Sequence, residues 1–270
     1  MKPIIKWVGG KSQLTKLIRE RLPVTYNNYF EPFLGGGAVL LDLAPKCAFA
    51  NDTNPELINM YLQVREQVDD VIKCLKVLDE EHESNPPKDY YYSVREFFNQ
   101  NLGTNTPEQA ARLIYLNKHC FNGLYRVNSS GYFNVPFNGR LNGHSFDEDH
   151  IRAVSEQLHT VEFSLGDFED AVINAGVRDF IFFDSPYAPL TPTSFTDYTK
   201  EGFDYEDHLR LADLFRELTN KGCYCMLTNH DTPLIRELYK DYKIEVVDVR
   251  RSINRNGNNR TGTEVIITNY

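Results

Sequence analysis

The 270 residues include 41% hydrophobic and 25% charged side chains, an ordinary globular balance, enough for one large domain or a core domain with a sizeable insertion. No apolar run approaches the roughly 18 residues of a membrane span, and the start MKPIIKWVGG lacks a secretory signal, so a cytosolic protein is expected. A net charge of −9 argues against indiscriminate polyanion binding, and five cysteines without a Cys-x-x-Cys pair argue against a disulfide framework and metal-ligand spacing.

In chain order, KWVGGKSQLTKLIRERLP begins with a glycine turn. Leu14, Leu17, Ile18 and Leu22 then recur at helical spacing until Pro23 stops the helix. YFEPFLGGGAVLLDLAP reads as a short strand, a glycine loop and a helix closed near Pro45. CAFANDTNPELINMYLQVRE repeats the scheme: a strand ends at Asp52, and a helix opens where Asn54 and Pro55 suit the cap and first positions. From about 55 to 160 the chain is helical and polar, then turn-rich. NSSGYFNVPFNGRLNG (128–143) reads as a β-hairpin or an irregular loop. The α/β rhythm then returns, with strands expected at 161–165, 179–183, 223–228, 244–250 and 263–268. Helices are expected at 204–220 and near 231–241. The pattern predicts an α/β domain built from 1–55 and 161–270, with 56–160 inserted.

Charge is distributed unevenly. Gln109–Phe146 holds Arg112, Lys118, Arg126 and Arg140 but no acid, and Val249–Thr263 holds Arg250, Arg251, Arg255 and Arg260 but no acid. The first 19 residues add Lys2, Lys6, Lys11, Lys16 and Arg19, again without an acid. Such windows in an acidic protein are either a localised polyanion surface or solvated faces.

Three constellations could carry chemistry. Gly35, Gly36 and Gly37 after a strand are either a tight turn or a backbone that a ligand can approach closely, and Asp52, at the end of the next strand, could accept both hydroxyls of a ribose. Trp7, the only tryptophan, stands with Lys11 on a glycine loop, as a core anchor or as an aromatic–cation pair for a planar or anionic ligand. In FIFFDSPYAPL an apolar strand runs into Asp184, Ser185, Pro186 and Tyr187, placing a carboxylate, a rigid turn and a ring at a sheet's carboxyl edge.

Taken together, KWVGGK, FEPFLGGGAV, NDTNPELI, FNGLYRVN, FNVPF, DSPYAPL, LTNHDT and VRRSINRNGNNR resemble, in order and over nearly the whole chain, the S-adenosylmethionine-dependent DNA adenine methyltransferases. The order of the elements is that of the class α amino-methyltransferases. The resemblance implies a Rossmann-like methyltransferase sheet with an inserted, mainly helical DNA-recognition domain at 56–160 that includes a β-hairpin. It implies methyl transfer from S-adenosylmethionine to adenine N6 in duplex DNA, within GATC, by base flipping. Asp184 and the backbone carbonyl of residue 185 would accept the N6 hydrogens, Pro186 would set the turn, and Tyr187 would stack on the flipped adenine. Trp7, Lys11, Phe33, Gly35, Gly36, Gly37, Asp52, Asp167, Phe168 and Asp184 would bind the cofactor; Asp167 and Phe168 are equally a helix cap and a core ring.

For DNA the resemblance implies Arg126 on guanine O6 and N7, Leu124 against a thymine methyl, and Phe121 as a wedge beside Asn122 and Pro136. It places Lys6 on the outer guanine and Arg250, Arg251, Asn256 and Arg260 on phosphates. Arg140 follows an extra residue relative to the commoner FNVPFGRY, which leaves its downstream contacts open. The family carries proline where Ser185 stands, but the reacting group there is a backbone carbonyl, which serine also has. The alternatives are a paralogue weakened by Ser185 or an enzyme acting on another nucleic acid or on protein. No metal is required, and a monomer is expected.

Overall fold

The structure, a computed structural model, describes residues 1–141, 143–189, 203–250 and 261–270. Its first elements are α1 (Thr15–Arg19), β1 (Tyr29–Glu31), α2 (Ala38–Leu43), β2 (Ala48–Asp52) and α3 (Pro55–Glu66). Then come α4 (Val68–Ser84), α5 (Pro87–Gln100), α6 (Pro107–His119), α7 (Glu148–Leu158), β3 (Val161–Leu165) and β4 (Phe180–Phe183). The chain closes with α8 (Tyr205–Asn220), β5 (Tyr224–His230), α9 (Pro233–Leu238), β6 (Lys243–Arg250) and β7 (Thr261–Thr268). Each strand expected after residue 160 is present to within two or three residues at either end. The helix expected up to Leu22 stops at Arg19: after Glu20 the Arg21 and Leu22 N–H groups turn to Ile18 O and Arg19 O, three residues back, and the helical ladder ends.

Two compact units emerge. One comprises Met1–Gly10, Gly35–Ala44 and Asp52–Leu165; the other comprises Lys11–Leu34, Pro45–Asn51 and Gly166–Tyr270.

The second unit holds six of the sheet's seven strands, in the order β2-β1-β4-β5-β7-β6. β1, β2, β4 and β5 run parallel, while β7 is antiparallel to both β5 and β6. Phe180, Ile181, Phe182 and Phe183 of β4 are all buried. A central parallel strand covered on both faces requires such an unbroken apolar run rather than alternation, and burying each ring contributes about 1.5–3 kcal/mol. Leu211, Phe215 and Leu218 of α8 join Phe30, Ile181 and Phe183 in this core, and α8 itself opens with a reciprocal cap between Asp204 and Asp207. β2 adds on one side of β1 and β5 on the far side of β4, so the order reverses between β1 and β4. In open α/β sheets, ligands bind at the carboxyl ends beside such a reversal. This is the expected α/β architecture with a Rossmann-like sheet.

In the first unit α6 is buried on nearly every side, from Gln109 to Asn117 except at half-buried Arg112, and again at His119. A helix of that kind is an interior one, and α3, α4 and α5 pack on it. Asn54 caps α3 by accepting the Glu56 and Leu57 N–H groups, with Pro55 at the first helical position. Residues 128–143 form no strand among those described. Val127 and Phe133 make an isolated antiparallel bridge, flanked by the Asn128 N–H on Tyr132 O at 2.9 Å and the Asn134 N–H on Arg126 O at 3.0 Å. The Asn128 side chain closes the turn by accepting the Ser130 and Tyr132 N–H groups at 3.0 Å each.

A buried polar cluster lies between α4 and α6. His82 Nδ1 is 2.6 Å from the Tyr115 hydroxyl, and the rings of His82 and His119 lie 4.2 Å apart. Asp79 accepts the Ser145 N–H at 2.9 Å and also the Ser145 hydroxyl, which sits 3.3 Å from His119 Nε2. Burial, with His82 and Lys118 nearby, pushes the His119 imidazole down to about 3, and burial lowers His82 as well. In the second unit burial takes His208 to about 4. In the unfolded chain these imidazoles accept protons near pH 6.5; in the fold they do not until lower pH. The unfolded state therefore binds more protons below 6.5, and stability must fall as the pH drops through that window. The urea midpoint is expected to decline steadily from pH 6.5 to 4, and His119→Gln to flatten the decline.

Candidate active site

In the second unit, β4 delivers Asp184 to its carboxyl end. Asp184 Oδ1 lies 2.5 Å from the Lys11 ammonium and accepts the Thr228 hydroxyl at 2.9 Å. Burial raises the Asp184 carboxyl above its ordinary range, and Lys11 and Thr228 pull it back. The site thus sets a cation and a hydroxyl donor against a carboxylate, and both favour its charged form in opposition to burial. The Tyr187 hydroxyl donates to Glu264 Oε2 at 2.8 Å. The same ring has Lys11 Nζ 4.5 Å from its centroid and meets His230 edge-on at 4.8 Å. Burial, then Asp184 and Glu264, hold the Tyr187 phenol well above its usual value, so it remains a neutral ring. Ser185 is buried and Pro186 exposed.

Phe33 and Phe168 stack at 5.3 Å, and Phe203 closes both. Asp167 accepts the Glu169 N–H at 2.9 Å and the Arg210 guanidinium at 2.8 Å. Asp167 thus closes a local turn onto Glu169 beside an aromatic cluster that includes Phe168, and the short helical turn Asp170–Val172 that follows has Glu169 at its cap position.

In the first unit, Gly35 takes φ +49°, and a Cβ there would lie 2.9 Å from Cδ1 of the Trp7 indole. Gly36 is as close, where a Cβ would lie 3.0 Å from Trp7 Cβ, so Trp7 requires glycine at both positions, and Gly37 has a left-handed φ of +66°. Trp7 in turn stacks on Tyr125 at 5.1 Å. Asp52 Oδ2 accepts the Gly35 N–H and Oδ1 the Asn54 N–H, both at 2.9 Å. Burial raises the Asp52 carboxyl, with these N–H bonds opposing. An ionised carboxylate is an acceptor on both oxygens, which is the partner that two vicinal hydroxyl donors would use.

The same unit joins the amino terminus to the FNGLYRVN segment. The Asn117 amide donates to Lys6 O at 2.8 Å and Gly123 O at 3.1 Å, and its Oδ1 accepts the Lys6 N–H at 2.8 Å. Gly123 has φ +67°, and a Cβ would meet the Lys6 side chain at 2.8 Å. Phe121 is 52% exposed, and its N–H donates to Pro136 O at 2.8 Å. An aromatic ring left in water beside a polar turn has no packing reason to be there. Asn122 adopts a left-handed φ of +57°. Leu124 is half-buried; Arg126 and Arg140 are exposed. Arg126 Nε donates to Asn134 Oδ1 at 2.6 Å, and the Arg140 N–H donates to Asn138 Oδ1 at 2.8 Å.

Arg251, Asn256 and Arg260 lie outside the described residues, and of Arg250 only its place in β6 is described. Sequence reasoning missed Tyr125, Thr228 and Glu264. Tyr125 and Thr228 lay inside motifs already quoted, whereas Glu264 had no signal beyond being one polar residue in an apolar strand. No group of three or more His, Cys, Asp or Glu among the described residues could hold a metal ion, and no helix is long and apolar enough to cross a membrane.

Comparison with known proteins matches residues 7–253 to the D12 class N6 adenine-specific DNA methyltransferase family. The chain is 42% identical to a Type II methyltransferase, M1.LlaDCHI, of Lactococcus lactis subsp. cremoris, covering all of this chain and 96% of that one. It is 37% identical to a DNA adenine methylase of Haemophilus influenzae, over 98% of this chain and 92% of that one. The DNA adenine methylase of Escherichia coli K12 is 34% identical, over 98% and 94%.

Proposed function

The chain belongs to the D12 class N6 adenine-specific DNA methyltransferases, and we propose that it methylates adenine N6 within duplex GATC, flipping the base out to reach it. The observation that carries the proposal is the Asp184–Tyr187 turn at the carboxyl end of β4, with Asp184 seated on Lys11 at 2.5 Å.

The amine to be methylated is a poor nucleophile, because its lone pair is delocalised into the purine ring. Asp184 and the Ser185 carbonyl accept its two hydrogens, localise the lone pair, and offset the positive charge that develops on nitrogen. Holding that nitrogen in line with the methyl donor supplies the rest of the barrier reduction. Tyr187, neutral and fixed by Glu264, presents its ring to the extrahelical base. S-adenosylmethionine supplies the activated methyl group. Its ribose suits the lone pairs of Asp52, and its adenine suits the Phe33–Phe168 cluster beside Asp167; Trp7, Lys11 and the Gly35–Gly37 loop complete the assignment. The chain's own chemistry suits such a ligand: half-buried carboxylates at Asp52 and Asp184, and stacked aromatic rings at Phe33 and Phe168 for a planar base.

The segment 56–160 is assigned to target recognition and 1–55 with 161–270 to catalysis. GATC is supported by FNGLYRVN together with Lys6, which Asn117 and Gly123 hold against it. Exposed Phe121 is assigned to the gap left by the flipped adenine, and Leu124, Asn122 and Pro136 to the bases around it. Arg140, with Arg250, Arg251, Asn256 and Arg260, is assigned to the backbone.

The test is tritiated methyl transfer to a GATC duplex beside a scrambled duplex of equal composition. Transfer to GATC is expected to exceed the scrambled control at least tenfold, since each mismatched pair costs about 1–3 kcal/mol. Equal labelling of both duplexes would remove the GATC assignment. No transfer by the natural protein, with transfer restored by Ser185→Pro, would establish a catalytically silent binder instead.

A further inference from the structure

The end of β5 is built as a grip on the Asp184–Ala188 turn. Register pairs Leu227 with Phe183, so the next β5 residues run alongside that turn. Thr228 holds the Asp184 carboxylate at 2.9 Å. Asn229 Oδ1 accepts the Ala188 N–H at 2.9 Å, while its Nδ2 reaches Ser185 Oγ at 3.4 Å. His230 Nδ1 lies 2.9 Å from Ala188 O, and its ring meets Tyr187. Asn229 is fully buried and Ser185 nearly so. One amide therefore spans the turn like a chord, touching residue 185 at one end and residue 188 at the other. Pro186 and Tyr187 lie between these anchors.

We propose that Asn229 is a positioning residue for the Asp184–Tyr187 turn, and that its contact with the Ser185 hydroxyl supplies the restraint a proline ring at 185 would supply through a fixed φ. The inference rests on the assignment of this turn to catalysis. A side chain that bonds both ends of a four-residue span limits its conformations as a ring does, and a displacement of about 1 Å at a reacting group can cost on the order of 100-fold in rate. Serine at 185 and asparagine at 229 are thus two halves of one device. Proline at 185 offers no hydroxyl to receive the amide.

The experiment compares the full chain with Asn229→Ala, Ser185→Ala, Ser185→Pro and Asn229→Ala/Ser185→Pro. It reads kcat and KM for methyl transfer, and hydrogen exchange in the peptide containing residues 184–189. Asn229→Ala is expected to lower kcat at least tenfold with KM for DNA and for S-adenosylmethionine within threefold, and to speed exchange of the turn. Adding Ser185→Pro is expected to recover at least threefold of kcat and to slow exchange again. A general packing defect would not be rescued by a proline in a different strand's loop, so absence of rescue in both readouts overturns the proposal. Ser185→Ala leaves the Asn229–Ala188 bond intact and guards against misfolding of the asparagine variant; unchanged exchange in it also overturns the proposal. If the natural protein transfers no methyl to any duplex, the functional assignment fails, and exchange alone decides the positioning role.

Discussion

Replacing Asp184 by alanine is expected to lower the initial rate of methyl transfer to GATC DNA by about 10³-fold. Removing one preorganised hydrogen-bond partner of developing charge typically costs a factor of about 10²–10³, and here the lost group is also the only charged one assigned to the reacting amine. Asp184→Asn, which keeps one acceptor oxygen, is expected to fall between alanine and the natural enzyme. Either change also takes the carboxylate from a Lys11 ammonium that is 6% exposed. Breaking one side of a buried pair costs about 3–5 kcal/mol of stability, so a lower urea midpoint is expected alongside. Lys11→Met with Asp184→Asn separates the two effects: the midpoint recovers, because no buried cation is left without its carboxylate, and the activity does not. Burial raises the Asp184 carboxyl from its ordinary 3.8. Its charged, hydrogen-accepting form is therefore lost on acidification sooner than that of an exposed aspartate, and the acid limb of the kcat profile is expected above that value.

The pieces of this site were legible in the sequence to different degrees, and the reason is physical. The apolar run of β4 and the Asn54–Pro55 cap follow from local rules, because burial on both faces and helix-end hydrogen bonds are decided within a few residues. The carboxyl-edge position of Asp184 followed from the first of these. Its pairing with Lys11 did not, since two residues 173 positions apart meet only through the packing that buries both. The same holds for Tyr187 with Glu264 and for Trp7 with Tyr125. Periodicity reports which face of an element is apolar and is silent on which polar groups converge. At 128–143 the glycines and alternating aromatics fitted a hairpin or an irregular loop equally well; what forms is one antiparallel bridge, Val127 with Phe133, around a turn that the Asn128 side chain closes. Ser185 is the instructive residue. In isolation it is a missing proline, and only the buried amide of Asn229 gives its hydroxyl a use.

Arg126→Ala is expected to lower kcat/KM on GATC duplexes by roughly 5–150-fold, the equivalent of about 1–3 kcal/mol for one bidentate base contact. The guanidinium is exposed, yet it is not loose: Nε donates to Asn134 Oδ1 at 2.6 Å and Nη2 lies 3.4 Å from Asn134 O. A fork held from behind on its own turn presents its other donors in a fixed plane, which is what a guanine O6–N7 edge requires. Three consequences distinguish base recognition from simple charge. Arg126→Lys restores the charge but not the fork, and is expected to recover little of the activity. Asn134→Ala leaves the fork unsupported, and is expected to lose part of the preference while keeping the affinity for scrambled DNA. Arg140→Ala, assigned to a phosphate, is expected to weaken binding to GATC and scrambled duplexes alike and to reduce the salt slope by about one. The measurement is kcat/KM on GATC duplexes in which the guanine pair alone is exchanged. If Arg126→Ala reduces methylation of the exchanged and the intact duplex by the same factor, Arg126 reads charge and not sequence, and recognition of that guanine must be sought elsewhere on the chain.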